Sequence, residues 1–399
     1  MIYHKDKEKT TVEIIVKILF YFNIFIIMWA MVGYPVFIKI LGRIFSGKQL
    51  KKNYQLLPTV TVMVVAHNEE KVILEKLENI IELDYPEDKI EFLISSDNST
   101  DKTNMIVKEF IDQHPKKCIR LYEVKERKGK TNAQNEAQKT VKTEFLVMTD
   151  ANAILEKNAV RELMAAFTAE DIAYVGGKLS YTNFLVSTSS HSENNYWERD
   201  LATREIESRI WGITAGNGAL YACRNKDYYD FDPIKCHDSA MPLYYGLAGK
   251  RAVVNHDAVA YEKAGEVMED EFARKVRMSR EILGRIMPDV RLLNIFHYRW
   301  FSCFYLGHRT CRYLLWIAHL ILLLTNVMLA VESWFYTVVF VGQVIFYILA
   351  LFQKVLGLKN KYIVMIYYYA MTVAAQWVGV YQQVTGKTKP FWEKADSTR

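Results

Sequence analysis

Hydrophobic and polar positions divide this chain into stretches of different period. Residues 18–38 are uncharged and, apart from Asn23, apolar. At ~1.5 Å rise per residue such a run is long enough for a helix to cross a ~30 Å hydrocarbon layer. Three more apolar runs, 313–331, 334–352 and 362–384, close the chain. Four nearly uncharged soluble helices at the two ends of one chain would be a poorer reading than four membrane helices. The first run is also too long for the apolar core of a cleaved leader. It is followed by Gly42-Arg43 and by Lys48, Lys51 and Lys52 instead of a small-residue cleavage site.

Between these runs, residues 53–275 have ordinary globular composition, and short β-branched runs alternate there with helical periods. Strands are predicted at 59–66, 91–95, 119–124 and 144–148, with helices at 69–83, 102–112 and 130–141 between them. Strands alternating with helices imply a parallel sheet with right-handed crossovers. After about Ala173 the regularity fades, and that half is expected to form the acceptor side, with Gly176-Gly177 and Gly216-Asn217-Gly218 as close-approach loops. From Val276 to Met287, and again from Val290 to Arg299, apolar residues recur at helical intervals among Arg277, Arg280, Arg285, Arg291 and Arg299. Basic amphipathic helices beside a membrane span lie in the interface plane or pack on the soluble domain.

The expected organisation is therefore an N-terminal segment 1–52 with one span, an α/β domain 53–275, interfacial helices 276–312, membrane helices 313–384 and a tail 385–399. The hydrophobic content of 51% reflects the apolar runs, and the net charge of +6 reflects residues flanking them, so nucleic acid is not implied. The five cysteines form no CxxC pair and no zinc spacing with histidine.

Candidate chemistry lies where the strands end. Phe145-Leu146-Val147-Met148 runs into Thr149-Asp150-Ala151-Asn152, and Phe92-Leu93-Ile94-Ser95 into Ser96-Asp97. Side chains leaving the carboxyl ends of parallel strands point into the ligand crevice of an open sheet. Capping of the next helix is the other common use of such an aspartate. Lys125 to Lys130 form a basic stretch that suits a diphosphate or a solvated surface.

The ordered set Val65-Ala66-His67-Asn68-Glu69-Glu70, Asp97-Asn98-Ser99-Thr100-Asp101, Lys128-Gly129-Lys130, Asp150-Ala151-Asn152, Gly216-Asn217-Gly218, His237-Asp238 and Arg274-Lys275-Val276-Arg277 resembles the family 2 glycosyltransferases. The likeness is to their membrane-embedded branch, which includes synthases of hyaluronan, chitin, cellulose and poly-N-acetylglucosamine. The resemblance implies a GT-A (Rossmann-like) α/β domain and a UDP-sugar donor. Ala66, Asn68, Glu69 and Asp97 would cradle uracil and ribose, and Lys128 and Lys130 would meet the nucleotide. Asp150, in the place of the first carboxylate of a D-x-D motif, would bind Mg2+ or Mn2+. Asn152 replaces the second carboxylate and weakens the metal assignment. Asp238 stands for the acceptor base beside His237, next to the donor-sugar and acceptor loop Gly216-Asn217-Gly218. Arg274 and Arg277 match a Q/R-x-x-R-W motif that grips pyrophosphate, with Met278 in place of its Trp. Trp211 is a candidate substitute for that indole.

These implications describe an inverting, multi-pass plasma-membrane enzyme that extends a cell-surface polysaccharide from a UDP-sugar. Polar or small residues within the apolar helices, His319, Gln343, Gln376 and Gly379, would line a sugar path. The alternatives are transfer of one sugar to a lipid-linked acceptor, favoured by Met278, and an inactive nucleotide-sugar sensor. Span count and charge disagree over the tail: four crossings put residues 386–399 opposite the α/β domain, whereas Lys387, Lys389, Lys394 and Arg399 favour its side.

Lys39, Arg43, Lys48, Lys51 and Lys52 follow the first span, so the α/β domain is expected on the cytoplasmic side. A cysteine introduced near Lys102 should resist a membrane-impermeant thiol reagent in intact cells and react after permeabilisation. Strong labelling of intact cells would reverse the orientation.

Overall fold

A strand buried on both faces needs apolar or internally satisfied residues at every position, and Val60–Ala66 (β1) is buried along its whole length, apolar except at Thr61, whose hydroxyl bonds to Glu91 and Thr143. The computed structural model describes residues 2–46, 49–183, 188–264, 268–358 and 360–391, with the backbone alone for 2–10 and 188–197. Within it β1 pairs in parallel with Ile90–Ser96 (β2) on one side and with Phe145–Asp150 (β4) on the other. Ile119–Glu123 (β3) extends the sheet beyond β2, also in parallel. The intervening helices are Ile73–Ile81, Thr103–Gln113 and Lys130–Gln138. These match the predicted α/β units, with the first helix starting later than residue 69 because Glu69 to Val72 form the turn that leads into it.

The second half completes a mixed eight-stranded sheet in the order β3-β2-β1-β4-β7-β6-β8-β5. Leu220–Arg224 (β7) runs antiparallel to β4 and to Ile172–Tyr181 (β6). Arg251–Glu262 (β8) lies parallel to β6, and Ile154–Leu155 (β5) is antiparallel to β8. Gly176 and Gly177 lie within β6 and not in a loop, at a register shift against β8. The expected close approach is real. A Cβ on Gly177 would come within 2.7 Å of the Ala258 carbonyl oxygen.

Contacts divide the chain into two compact units. One holds Ile38–Glu271, Val290–Phe304 and Lys389–Arg399; the other holds Met1–Phe37, Phe272–Asp289 and Tyr305–Thr388. The stretch expected to form two amphipathic helices is a series of short pieces: Ile282–Ile286, Val290–Leu293, Ile295–Tyr298 and Trp300–Phe304. Pro288 and the left-handed backbone of Arg299, at φ 48°, interrupt it. Val290, Leu293, Ile295 and Phe296 are exposed.

Among the described residues three helices are long and apolar enough to cross a membrane: Thr11–Ile44, Trp334–Leu356 and Lys361–Val384. A fourth candidate, Trp300–Tyr313 with Leu315–Leu329, is bent by 59°. The first helix contains a π-helical segment, Trp29–Gly33. Trp29 donates from Nε1 to the Gly307 carbonyl at 3.1 Å, and Tyr34 stacks on His308 with centroids 5.0 Å apart. Val16, Phe20, Leu322, Leu329 and Tyr336 form an apolar cluster.

The polar residues expected along a sugar path hydrogen-bond to neighbouring helices. His319 lies between Tyr347 and Tyr369, 3.0 Å and 2.8 Å from their hydroxyls. Gln343 donates to the His319 carbonyl at 3.1 Å and accepts from Asn326 at 2.7 Å. Gln376 donates to the Arg312 carbonyl at 2.9 Å and accepts from the Trp316 backbone at 3.1 Å. A Cβ on Gly379 would meet the Ser279 carbonyl oxygen at 2.6 Å. Interhelical hydrogen bonding and close packing account for all four positions.

His319→Leu should lower the thermal stability of the detergent-solubilised protein by about 0.6–1.7 kcal/mol, the usual range for an interhelical polar contact. Turnover per folded molecule should persist; its loss at unchanged stability would return His319 to a transport role.

Candidate active site

The chain leaves β1 towards β2 on one side and later returns to place β4 on the other, so sheet order reverses between β1 and β4. Ligand crevices open at the carboxyl ends of strands beside such a reversal. Val65 and Asp150 are register partners there, and Asp150 is the last residue of β4.

Three charged side chains converge at this point. Lys130, the first residue of helix Lys130–Gln138, brings Nζ to 2.5 Å from Asp150 Oδ1 and 3.1 Å from the Gly218 carbonyl. A Cβ on Gly218 would lie 3.0 Å from Lys130 Nζ, 3.6 Å from Asp150 Oδ2 and 3.9 Å from Asp238 Cγ. Gly218 therefore keeps open a space bounded by one ammonium and two carboxylates. Burial works against the Lys130 charge, but Asp150 and Asp238 outweigh it and hold its pKa above the ordinary lysine value. Asp238 is partly exposed in the first turn of helix His237–Leu247. Among the described residues none hydrogen-bonds to its carboxylate, so it is not acting as a cap.

Other predicted residues build the scaffold of this space. Asn68, at φ 51°, accepts from the Thr100 backbone at 2.8 Å, while its own N–H goes to Ser99 Oγ at 3.2 Å. Glu69 is fully buried and donates its backbone N–H to Thr103 Oγ1 at 2.8 Å. Asp97, 3% exposed, accepts from the backbone of Lys128 at 3.2 Å and of Gly129 at 2.8 Å. Ala66, at the end of β1, takes the Asp97 N–H at 2.9 Å. The two loops after β1 and β2 are thus locked together, and Asp97 fixes the lysine loop.

The two lysines of that loop separate clearly. Lys130 enters the site, whereas the Lys128 side chain pairs with Glu126 at 2.9 Å on the surface. In the glycine loop Asn217 is buried: it donates to the Gly177 carbonyl at 2.7 Å and accepts from Ala219 and Leu220. Gly216 donates its N–H to the Asp238 carbonyl at 3.0 Å, and the Tyr174 hydroxyl occupies the space a side chain there would need. His237 is buried, with Nδ1 2.9 Å from the Tyr221 hydroxyl. Burial, aided by Lys130, pushes its pKa down to about 3, so it is neutral at physiological pH and only weakly basic. Trp211 is half-buried and packs on Phe301, with ring centroids 5.1 Å apart. Arg274 and Arg277 lie one turn apart on helix Met268–Met278, in the helical unit.

Two contributors were not legible in the sequence. Lys76, on helix Ile73–Ile81, is fully buried and donates to Thr149 Oγ1 at 3.0 Å and to the Ala153 carbonyl, bracing the turn that carries Asp150 and Asn152. Its helical position resembles any surface lysine. Arg204, buried and paired with Asp200 at 2.6 Å, donates to the Gly216 carbonyl at 2.7 Å.

For a metal ion the donor set is sparse but of the right kind. Asp150 and Asn152 are oxygen donors on one turn, and among the described residues no group of three His, Cys, Asp or Glu side chains is placed to cage a metal. Mg2+ and Mn2+ sites that rely on substrate phosphates need few protein ligands, so the residues fit such an ion.

Desolvation lowers the Lys76 pKa to about 7 from the usual 10.5. The unfolded chain therefore binds the extra proton between those values, and Lys76 makes stability rise with pH from 7 to 10.5. Lys76→Met should remove that slope in thermal melts recorded from pH 7 to 10, and its loss of two hydrogen bonds should lower sugar transfer through a misplaced Asp150. An unchanged slope would overturn the assignment.

Residues 61–229 match the family model described as Glycosyl transferase family 2. A beta-monoglucosyldiacylglycerol synthase from Nostoc sp. is 28% identical over 173 residues, 43% of this chain and 35% of the relative. A poly-beta-1,6-N-acetyl-D-glucosamine synthase from Staphylococcus epidermidis is 30% identical over 142 residues, 35% of this chain and 33% of the relative. The aligned stretches thus span about a third of these relatives' own length. In structure, the mannosyltransferase PcManGT from Pyrobaculum calidifontis, solved with GDP-Man and Mn2+, superposes with a TM-score of 0.70 at 20% identity, over 92% of this chain and 99% of that one. The fold is GT-A, and the stretch that matches the family 2 glycosyltransferase model is residues 61–229.

Proposed function

We propose that this protein transfers a sugar, with inversion, from a UDP-sugar to a hydroxyl group of a lipid-borne acceptor at the cytoplasmic face of the plasma membrane. The observation that carries the reading is the convergence of Lys130, Asp150 and Asp238 on the space left by Gly218.

In this reading the Asp238 carboxylate accepts the proton of the acceptor hydroxyl, whose oxygen forms a bond to the anomeric carbon. The bond from that carbon to the diphosphate oxygen breaks, and the nucleotide leaves with the electron pair. Attack opposite the leaving group inverts the carbon. Lys130 holds positive charge beside the departing diphosphate, while Lys76 and Asp97 keep the two loops in position. Asp150, with the Asn152 amide, would hold Mg2+ or Mn2+. When bound, such an ion neutralises charge on the leaving group as a Lewis acid. Arg274 and Arg277 are assigned to the pyrophosphate by their match to the family motif.

Two observations support a lipid-borne acceptor receiving a single sugar. The polar residues of the apolar helices are engaged in interhelical hydrogen bonds, and Met278 offers no flat ring for a growing glycan. The exposed row Val290, Leu293, Ile295 and Phe296 supports contact with the membrane interface. Extension of a surface polysaccharide is the second reading, supported by similarity to the poly-beta-1,6-N-acetyl-D-glucosamine synthase.

Asp238→Asn should leave UDP binding nearly intact and cost at least ~100-fold in turnover, the scale of a lost general base. Asp150→Asn should abolish most divalent-dependent turnover and weaken nucleotide binding. Near-normal turnover in Asp238→Asn would remove Asp238 from the base role. Donor-dependent UDP release separates an enzyme from a sensor, and mass analysis of products separates a single addition from a polymer.

A further inference from the structure

The C-terminal tail meets the lysine loop of the site. Pro390 and Phe391 belong to the same compact unit as the sheet. The Phe391 ring lies over Arg127, with the guanidinium carbon 4.6 Å from the ring centroid. The Pro390 carbonyl covers Gly129 so closely that a Cβ there would lie 2.4 Å from its oxygen. Gly129 has φ 95° and precedes helix Lys130–Gln138, so its conformation and the contact both exclude a side chain.

The same loop is held from its other side by Asp97, which accepts the N–H groups of Lys128 and Gly129. Between Val124 and Lys130 it has no regular secondary structure of its own. Its next residue is Lys130, whose ammonium pairs with Asp150. Any displacement of Gly129 is therefore transmitted through one peptide bond to the cation of the site.

We propose that Pro390 and Phe391 form a latch that seats the Arg127–Gly129 loop and so positions Lys130 and Asp97 for the nucleoside diphosphate. The inference rests on the nucleotide-sugar reading of the site and assigns the tail a positioning role. An ordered loop enters the complex without losing further freedom, which raises affinity without a direct contact to the ligand. The Arg127–Phe391 stack supplies the attraction, and proline limits the freedom the tail loses on docking.

The full-length protein is compared with Phe391→Ala, Phe391→Trp, Arg127→Ala and the Arg127→Ala/Phe391→Ala double variant. Hydrogen exchange across residues 125–131 should accelerate in Phe391→Ala and return towards the parent rate in Phe391→Trp. Affinity for UDP and for GDP, titrated separately, should fall about three- to tenfold in Phe391→Ala for whichever nucleotide the parent binds, the scale of losing one such stack. It should recover in Phe391→Trp. The two alanine changes should be less than additive. Unchanged exchange overturns the docking. Faster exchange with unchanged affinity overturns the role in donor binding, and tighter binding in Phe391→Ala would make the tail an obstruction. A parent protein that binds neither nucleotide overturns the reading of the site itself, while exchange still reports whether the tail docks.

Discussion

Parallel pairing of β1 with neighbours on both sides is the constraint from which the site follows. Parallel strands end at the same edge of a sheet, so the turns after β1, β2 and β4 emerge together. Continuous burial of β1 puts core on both of its faces, and its ladders to β2 and β4 hold the register. Asp97 and Asp150 are brought to one crevice by backbone hydrogen bonding before either meets a partner. The antiparallel β7 then delivers Gly218 and, through the following helix, Asp238 to the same edge.

Charge balance at that edge is set by burial. Asp150 lies close enough to Lys76 and Lys130 to affect both lysines, yet the two respond in opposite directions. Lys76 is enclosed and its charge is weakened, whereas Lys130 gains more from two carboxylates than it loses to burial. One lysine consequently serves as a hydrogen-bonding brace and the other as the working cation. His237, next in sequence to Asp238, is kept neutral by the same environment. Side chains of the same formal charge thus acquire different tasks from burial together with the carboxylates beside them.

The parallel half of the fold was legible because β1, β2 and β4 are largely apolar runs separated by helical stretches. The antiparallel half was not: β6, β7 and β8 pair out of chain order, and helix Thr188–Ile210 is too polar to display an apolar stripe. At the site, Asp150, Lys130, Asp238 and Gly218, all taken from the sequence motifs, lie together in the structure. It cast Asn68 and Asn217 as ligand groups, whereas their amides pin loops, since a polar side chain at a turn reads the same way in either use. Lys76 and Arg204 carry no local signal, because burial of a long basic side chain depends on elements distant in the chain.

The docked tail also closes the chain on itself. Gly129 and Pro390 are far apart in sequence, yet they meet within one compact unit. Loop-closure entropy grows only slowly with the length of the intervening chain, so a contact of that span costs little more than one made over a far shorter loop. A tail tethered in this way meets its loop at an effective concentration set by the chain itself, independent of the concentration of the protein.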